Sequence, residues 1–160
     1  MARLCMWSWA IMIGVGLFFL DLITKQLVIQ YMPFGMGHEV VLFHILGIDC
    51  SLTHAINTGA AWGSFGSMPH LLVGVRIVLV AALIGYLCFS RSLPVSFRLP
   101  FILIISGALA NILDFFLYGH VVDMIHFVFW GYDYPVFNVA DSAICIGTFS
   151  ILWMTVWKKS

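Results

Sequence analysis

Four apolar runs of about twenty residues each, at about 7–29, 71–89, 99–117 and 137–157, constrain this 160-residue chain more than any other feature. Crossing a hydrocarbon core of about 30 Å takes roughly 20 helical residues, so each run is long enough to span a bilayer. With 62% hydrophobic and 9% charged residues, the chain lies well outside soluble composition. A water-soluble domain of this length buries only about 70% of the surface that its unfolded chain exposes, so the remaining apolar area needs lipid as its solvent. The chain is therefore expected to be one membrane-embedded domain over residues 1–160, with an uncleaved first span and no internal repeat.

The charges orient it. Arg3 precedes the first run, Arg91 and Arg98 lie between the second and third, and Lys158 and Lys159 follow the fourth, so all five fall on one face. The opposite loops, roughly 30–70 and 118–136, carry no Lys or Arg. The positive-inside rule then puts both termini in the cytoplasm. Trp7, Trp9, Trp130, Trp153 and Trp157 lie near span ends, as an aromatic belt requires. Zero net charge and the absence of a basic patch argue against a nucleic-acid partner. Cys5, Cys50, Cys88 and Cys145 show neither metal-ligand nor disulfide spacing and read as small apolar side chains. In the first outer loop, β-forming residues alternate with turn residues, which predicts short strands; the second is expected to hold a short helix around 121–129.

Every carboxylate, namely Asp21, Glu39, Asp49, Asp114, Asp123, Asp133 and Asp141, falls on the outward side of this topology. Asp21 and Lys25 are spaced i, i+4 for an intramembrane ion pair that anchors the first span. Asp114 shares a helical face with Asn111 and reads as a scaffold or substrate-positioning carboxylate. Asp123 and Asp141 have no cation near them in sequence and can meet at the outer surface. Two carboxylates brought together share a proton, as aspartic peptidase chemistry requires: the ionised member activates water and the protonated member polarises the scissile carbonyl.

Five blocks then occur in order: Asp21-x-x-Thr24-Lys25, Asn57-Thr58-Gly59-Ala60-Ala61-Trp62, Asn111-x-x-Asp114, Gly119-x-Val121-x-Asp123 and Phe137-Asn138-x-Ala140-Asp141. In these the chain resembles lipoprotein signal peptidase, or signal peptidase II, over nearly its whole length. The resemblance implies an all-α integral membrane protein of four transmembrane helices with a small extracytoplasmic β-cradle, in the bacterial inner membrane. It implies a catalytic dyad of Asp123 and Asp141, with Asn57, Gly59, Asn111, Asp114, Asn138 and Ala140 shaping the substrate site. The implied substrates are diacylglyceryl-modified prolipoproteins, cut just before the lipidated cysteine; the chain is expected to act as a monomer in contact with membrane lipid, with no metal or cofactor. Three departures stand out. Phe115 occupies a position where the family usually has a substrate-contacting Arg. Ser106 and Ala110 replace glycines, a change expected to loosen helix packing, and Met124 replaces the commoner Phe.

Three rival readings compete. His120, Asp123 and His126 recur every three residues and would share one broad face of a helix, as ligands of a zinc enzyme. Intramembrane acids also mark ion-coupled transporters, although those place them at the midplane. The third is a non-catalytic binder of lipoprotein precursors.

Overall fold

The computed structural model describes residues 2–35, 38–58, 68–90 and 93–157, with side chains from Ser8 onward. The elements run α1 (Ala2–Tyr31), β1 (Val40–Ile45), β2 (Ile48–Asn57), α2 (Pro69–Phe89), a 3-10 turn at Val95–Phe97, α3 (Arg98–Tyr118), β3 (Val121–Phe129), β4 (Tyr132–Asp133) and α4 (Val139–Trp157). Four helices are long and apolar enough to cross a membrane, matching the four runs in the sequence. The four strands form one antiparallel sheet in the order β1-β2-β3-β4, so the architecture is helical with a sheet and not all-α.

The sheet also corrects the expectation of a helix around 121–129. That stretch is strand β3, paired along its length with β2 from Ile48 opposite Phe129 to Asn57 opposite Val121. Its run of valine, isoleucine and phenylalanine favours a pleated surface, and β2 supplies the partner edge that a local reading of the loop does not show. Two-residue turns close both hairpins. Leu46-Gly47 and Trp130-Gly131 all have positive φ, the type I′ geometry whose twist matches that of the strands, and Leu46 and Trp130 adopt it despite their side chains.

Helix α3 lies at the centre. Leu103, Ser106, Gly107, Ala110, Asn111 and Asp114 are buried at helical spacing along one stripe. By contrast α2 buries only Val73 and Val80 and presents Leu71, Val75, Val78 and Leu79 outward, as a lipid-facing helix does. Close approach of α3 and α4 depends on glycine. A Cβ at Gly107 would run into the Ala140 carbonyl, and one at Gly147 would sit 2.6 Å from the Pro100 carbonyl oxygen.

Two of the departures noted in the sequence are accommodated in the packing. Ser106 donates a hydrogen bond to the Gly14 carbonyl of α1, and Ala110 is fully buried, so these positions join helices where a loosening was expected. Met124 packs with Val28 and Val122 in the apolar cluster that seats the sheet on the end of α1.

Candidate active site

Asn138, the residue before α4, organises the site. Its side-chain oxygen accepts the Asp141 backbone N–H at 2.8 Å, which caps the helix at its third residue. The same side chain's Nδ2 lies 2.7 Å from Asp123 Oδ1 and 3.2 Å from both the Val122 carbonyl and Asn111 Oδ1. One fully buried asparagine therefore holds the start of α4 against β3, and with it the two aspartates that these elements carry.

Each aspartate takes a second asparagine. Asn57, at the end of β2, donates to Asp123 Oδ2 at 2.9 Å. Asn111 of α3 donates to Asp141 Oδ1 at 2.8 Å. Asp141 lies in the first turn of α4, where the helix dipole favours negative charge. Asp123 is 2% exposed, and the loss of hydration together with the nearby Asp141 charge pushes its pKa up to about 7. The amides of Asn57 and Asn138 oppose that rise by donating to the ionised form.

Beneath the pair lies a buried charge cluster. Lys25 of α1 makes 2.6 Å ion pairs with both Asp21 and Asp114 and donates to Asn111 Oδ1 at 2.9 Å. The predicted i, i+4 pair is thus half of a larger arrangement, because the ammonium is shared with a carboxylate from α3. Binding Asn111 through its oxygen leaves the amide nitrogen turned toward Asp141, so Lys25 sets which end of that side chain the aspartate meets. Asp21 also accepts the Ala140 N–H at 2.7 Å, and Asp114 accepts the Val122 N–H at 3.3 Å. The cluster thereby grips the residue before each of the two aspartates.

Asn57, Asp123 and Asp141 line a cavity of about 620 Å³ whose further wall is formed by Tyr134 and Phe137. Asn111 and Asn138 stand directly behind them, and Asp114 and Ala140 one layer deeper. Gly59 lies outside the described residues. Phe115, the departure beside Asp114, packs edge-on against His70 of α2 with ring centroids 5.3 Å apart. Sequence reading missed Arg76, which lines the same cavity from α2. It is the one charged residue in Pro69–Phe89, and charge inside a hydrophobic span was the available signal.

The zinc reading assumed a helix over His120, Asp123 and His126. His120 lies before strand β3, and on that strand Asp123 and His126, three residues apart, face opposite sides. His126 lies 2.7 Å from Asp133 and 3.4 Å from Glu39, with Ser51 beside it, and fastens β1 and β4 to the middle of the sheet. Among the described residues no group of three or more His, Cys, Asp or Glu side chains is placed to hold a metal ion.

Comparison with known proteins gives the family and the fold. The family described as Signal peptidase (SPase) II matches residues 13–157. Lipoprotein signal peptidases of Staphylococcus aureus strains JH9 and Newman are each 33% identical over 143 residues, covering 89% of this chain and 85% of theirs. A bacterial membrane enzyme solved by the in meso method at 2.3 Å superposes with a TM-score of 0.83 at 29% identity, over 96% of this chain and 90% of the other. A second, solved by the same method at 1.9 Å, gives 0.76 at 30% identity, with 92% of each chain covered.

Proposed function

Because the chain belongs to the signal peptidase II family, and is a membrane aspartic peptidase that removes signal peptides from prolipoproteins, we propose that Asp123 and Asp141 are its catalytic pair. The observation that carries this assignment is their meeting at one cavity from separate elements, each held by asparagine amides, with Asp123 shifted to about 7. Near neutral pH such a pair shares one proton. The ionised member takes a proton from water as the oxygen attacks the scissile carbonyl, while the protonated member donates to the carbonyl oxygen. Collapse of the resulting gem-diol breaks the C–N bond, and the departing nitrogen takes up a proton from the pair. No covalent intermediate forms.

The substrate is a prolipoprotein that already carries diacylglycerol, cut just before the modified cysteine. A lipidated cysteine stays at the bilayer surface, and both aspartates sit at the sheet end of the helical bundle. With the termini in the cytoplasm, that end faces outward. Asn57 borders the cleft and binds substrate there, and Gly59 is assigned to substrate binding with it, whereas Asn111, Asp114, Asn138 and Ala140 act by placing the pair. Asp21 and Lys25 fix the scaffold, and the enzyme works as a monomer surrounded by lipid.

The test is cleavage by the purified protein of a diacylglyceryl-modified prolipoprotein beside its unmodified form, with and without chelator. We expect cleavage of the modified form alone, indifferent to chelator, and a fall on the order of 10³-fold or more in Asp123→Asn and in Asp141→Asn. Full activity in either variant would remove that residue from the pair, and chelator-sensitive cleavage would require a metal-based mechanism instead.

A further inference from the structure

Arg76 has no place in the chemistry above, yet its position is costly. It lies seven residues after Pro69, roughly 10 Å along α2 from the end nearer the sheet, on a helix otherwise free of charge. A charged side chain within a span is costly to place in lipid, and such residues face protein or a water-filled cavity. Arg76 is half-buried and is the one cationic side chain lining the cavity of the two aspartates among the described residues.

That cavity has a particular need. A segment to be cut must lie extended across Asp123 and Asp141, and carbonyl oxygens that give up bulk water on entering the cavity need donors there in its place. The asparagine amides are engaged on the carboxylates: Asn57 and Asn138 on Asp123, Asn111 on Asp141. A guanidinium brings five donors in a planar fork, has no acceptor and stays charged at every working pH.

We propose that Arg76 is a substrate-positioning residue, its guanidinium donating to carbonyl oxygens of the prolipoprotein laid across the two aspartates. This rests on the peptidase reading of the site. The acceptors are carbonyls of one of two sources, the peptide backbone beside the scissile bond or the glyceryl esters on the cysteine. Arg76 takes no proton from the reacting atoms and gives none to them. Its contribution therefore falls on binding more than on the chemical step.

The experiment compares the parent with Arg76→Gln and Arg76→Lys on diacylglyceryl-modified prolipoprotein in micelles, reading KM and kcat separately across pH 5 to 9. Affinity for the same substrate is measured in Asp123→Asn, with Arg76 intact or changed to Gln. Loss of a charge-assisted hydrogen bond should raise KM, and weaken that affinity, on the order of tenfold in Arg76→Gln. kcat should change by less than about threefold, with the alkaline limb of the pH profile unmoved. Arg76→Lys, which keeps the charge but loses the fork, should recover only part of the affinity.

An ether-linked substrate, lacking the ester carbonyls, separates the two sources. The penalty of Arg76→Gln disappears with it if the esters are the acceptors and persists if the peptide is. Parental KM and affinity in Arg76→Gln would overturn the proposal. So would a fall in kcat with a shifted pH limb that Arg76→Lys restores, since that marks a charge acting on the aspartates. If Arg76→Gln does not fold, Arg76→Lys decides: a KM raised several-fold supports the proposal and a parental KM overturns it. Should the parent fail to cut, the peptidase reading falls, and the affinity measurement still decides for or against Arg76.

Discussion

Burial of Asp123 in a site that also holds Asp141 has a consequence for pH. A carboxyl whose pKa rises from 3.8 to about 7 on folding keeps its proton in the native state through a window where the unfolded chain has lost it. Its contribution to stability is full below about pH 4 and is lost as pH rises through 7. The thermal midpoint of the parent should therefore fall between pH 5 and pH 8 by more than that of Asp123→Asn, which has no proton to lose there. Activity, which needs one proton on the pair, should decline on the alkaline side near pH 7. The Asn57 amide favours ionised Asp123, so Asn57→Ala should move that alkaline limb to higher pH. A profile of kcat/KM against pH for the two proteins checks the direction, and a limb moved downward would contradict the assignment.

At the scale of elements, the aspartates are positioned by two local structures of different legibility. The Asn138 cap of α4 is written in sequence as an asparagine before an apolar run with an acid three residues later, and it forms as that pattern suggests. Strand β3 is not legible in the same way. A nine-residue stretch of valines, isoleucine and phenylalanines suits a short buried helix or a strand by periodicity alone, and pairing with β2 decides between them. The contact between α3 and α4 then fixes how far the start of α4 lies from the rest of the site. Gly107→Ala would force its methyl into the Ala140 carbonyl, one residue before Asp141. We expect a stability loss of about 1–3 kcal/mol, seen as a lower thermal midpoint in detergent. A fall in kcat larger than the unfolded fraction explains should accompany it, because the displaced backbone carries the aspartate.

Across the whole molecule, Lys25 joins α1 to α3 through Asp114 and, by way of Asp21 and Ala140, to the first turn of α4. Removing one partner of a buried ionic cluster leaves the others uncompensated, at about 3–5 kcal/mol. Lys25→Met, similar in volume, should therefore cost far more stability than any single surface change, measured by thermal unfolding in detergent. Orientation is tested separately with an impermeant thiol reagent on intact cells, in a protein whose four native cysteines are replaced by alanine. Cysteine at the exposed Tyr132 (Y132C) should label, and cysteine at Ser160 (S160C) should label only after lysis. The reverse pattern would place the aspartates on the cytoplasmic side.

The sequence by itself determined how the chain divides between lipid and water. Four apolar spans follow from partitioning, which is local and additive along the chain, and so does the expectation that the basic flanks and the acids lie on opposite sides. The carboxylates of the candidate site stand out in the sequence too, because ionisable groups in apolar surroundings are costly wherever they occur, whereas Asn57, Asn111 and Asn138 were legible as site residues only through the resemblance to signal peptidase II. Only the tertiary structure decided their partners. That Lys25 serves Asp21 and Asp114 together, that Asn111 turns its nitrogen to Asp141, and that Arg76 of the outermost helix reaches the same cavity are results of helix packing and strand pairing. Contacts between residues up to 119 positions apart are set by which faces meet, and hydropathy along a single chain has no access to that.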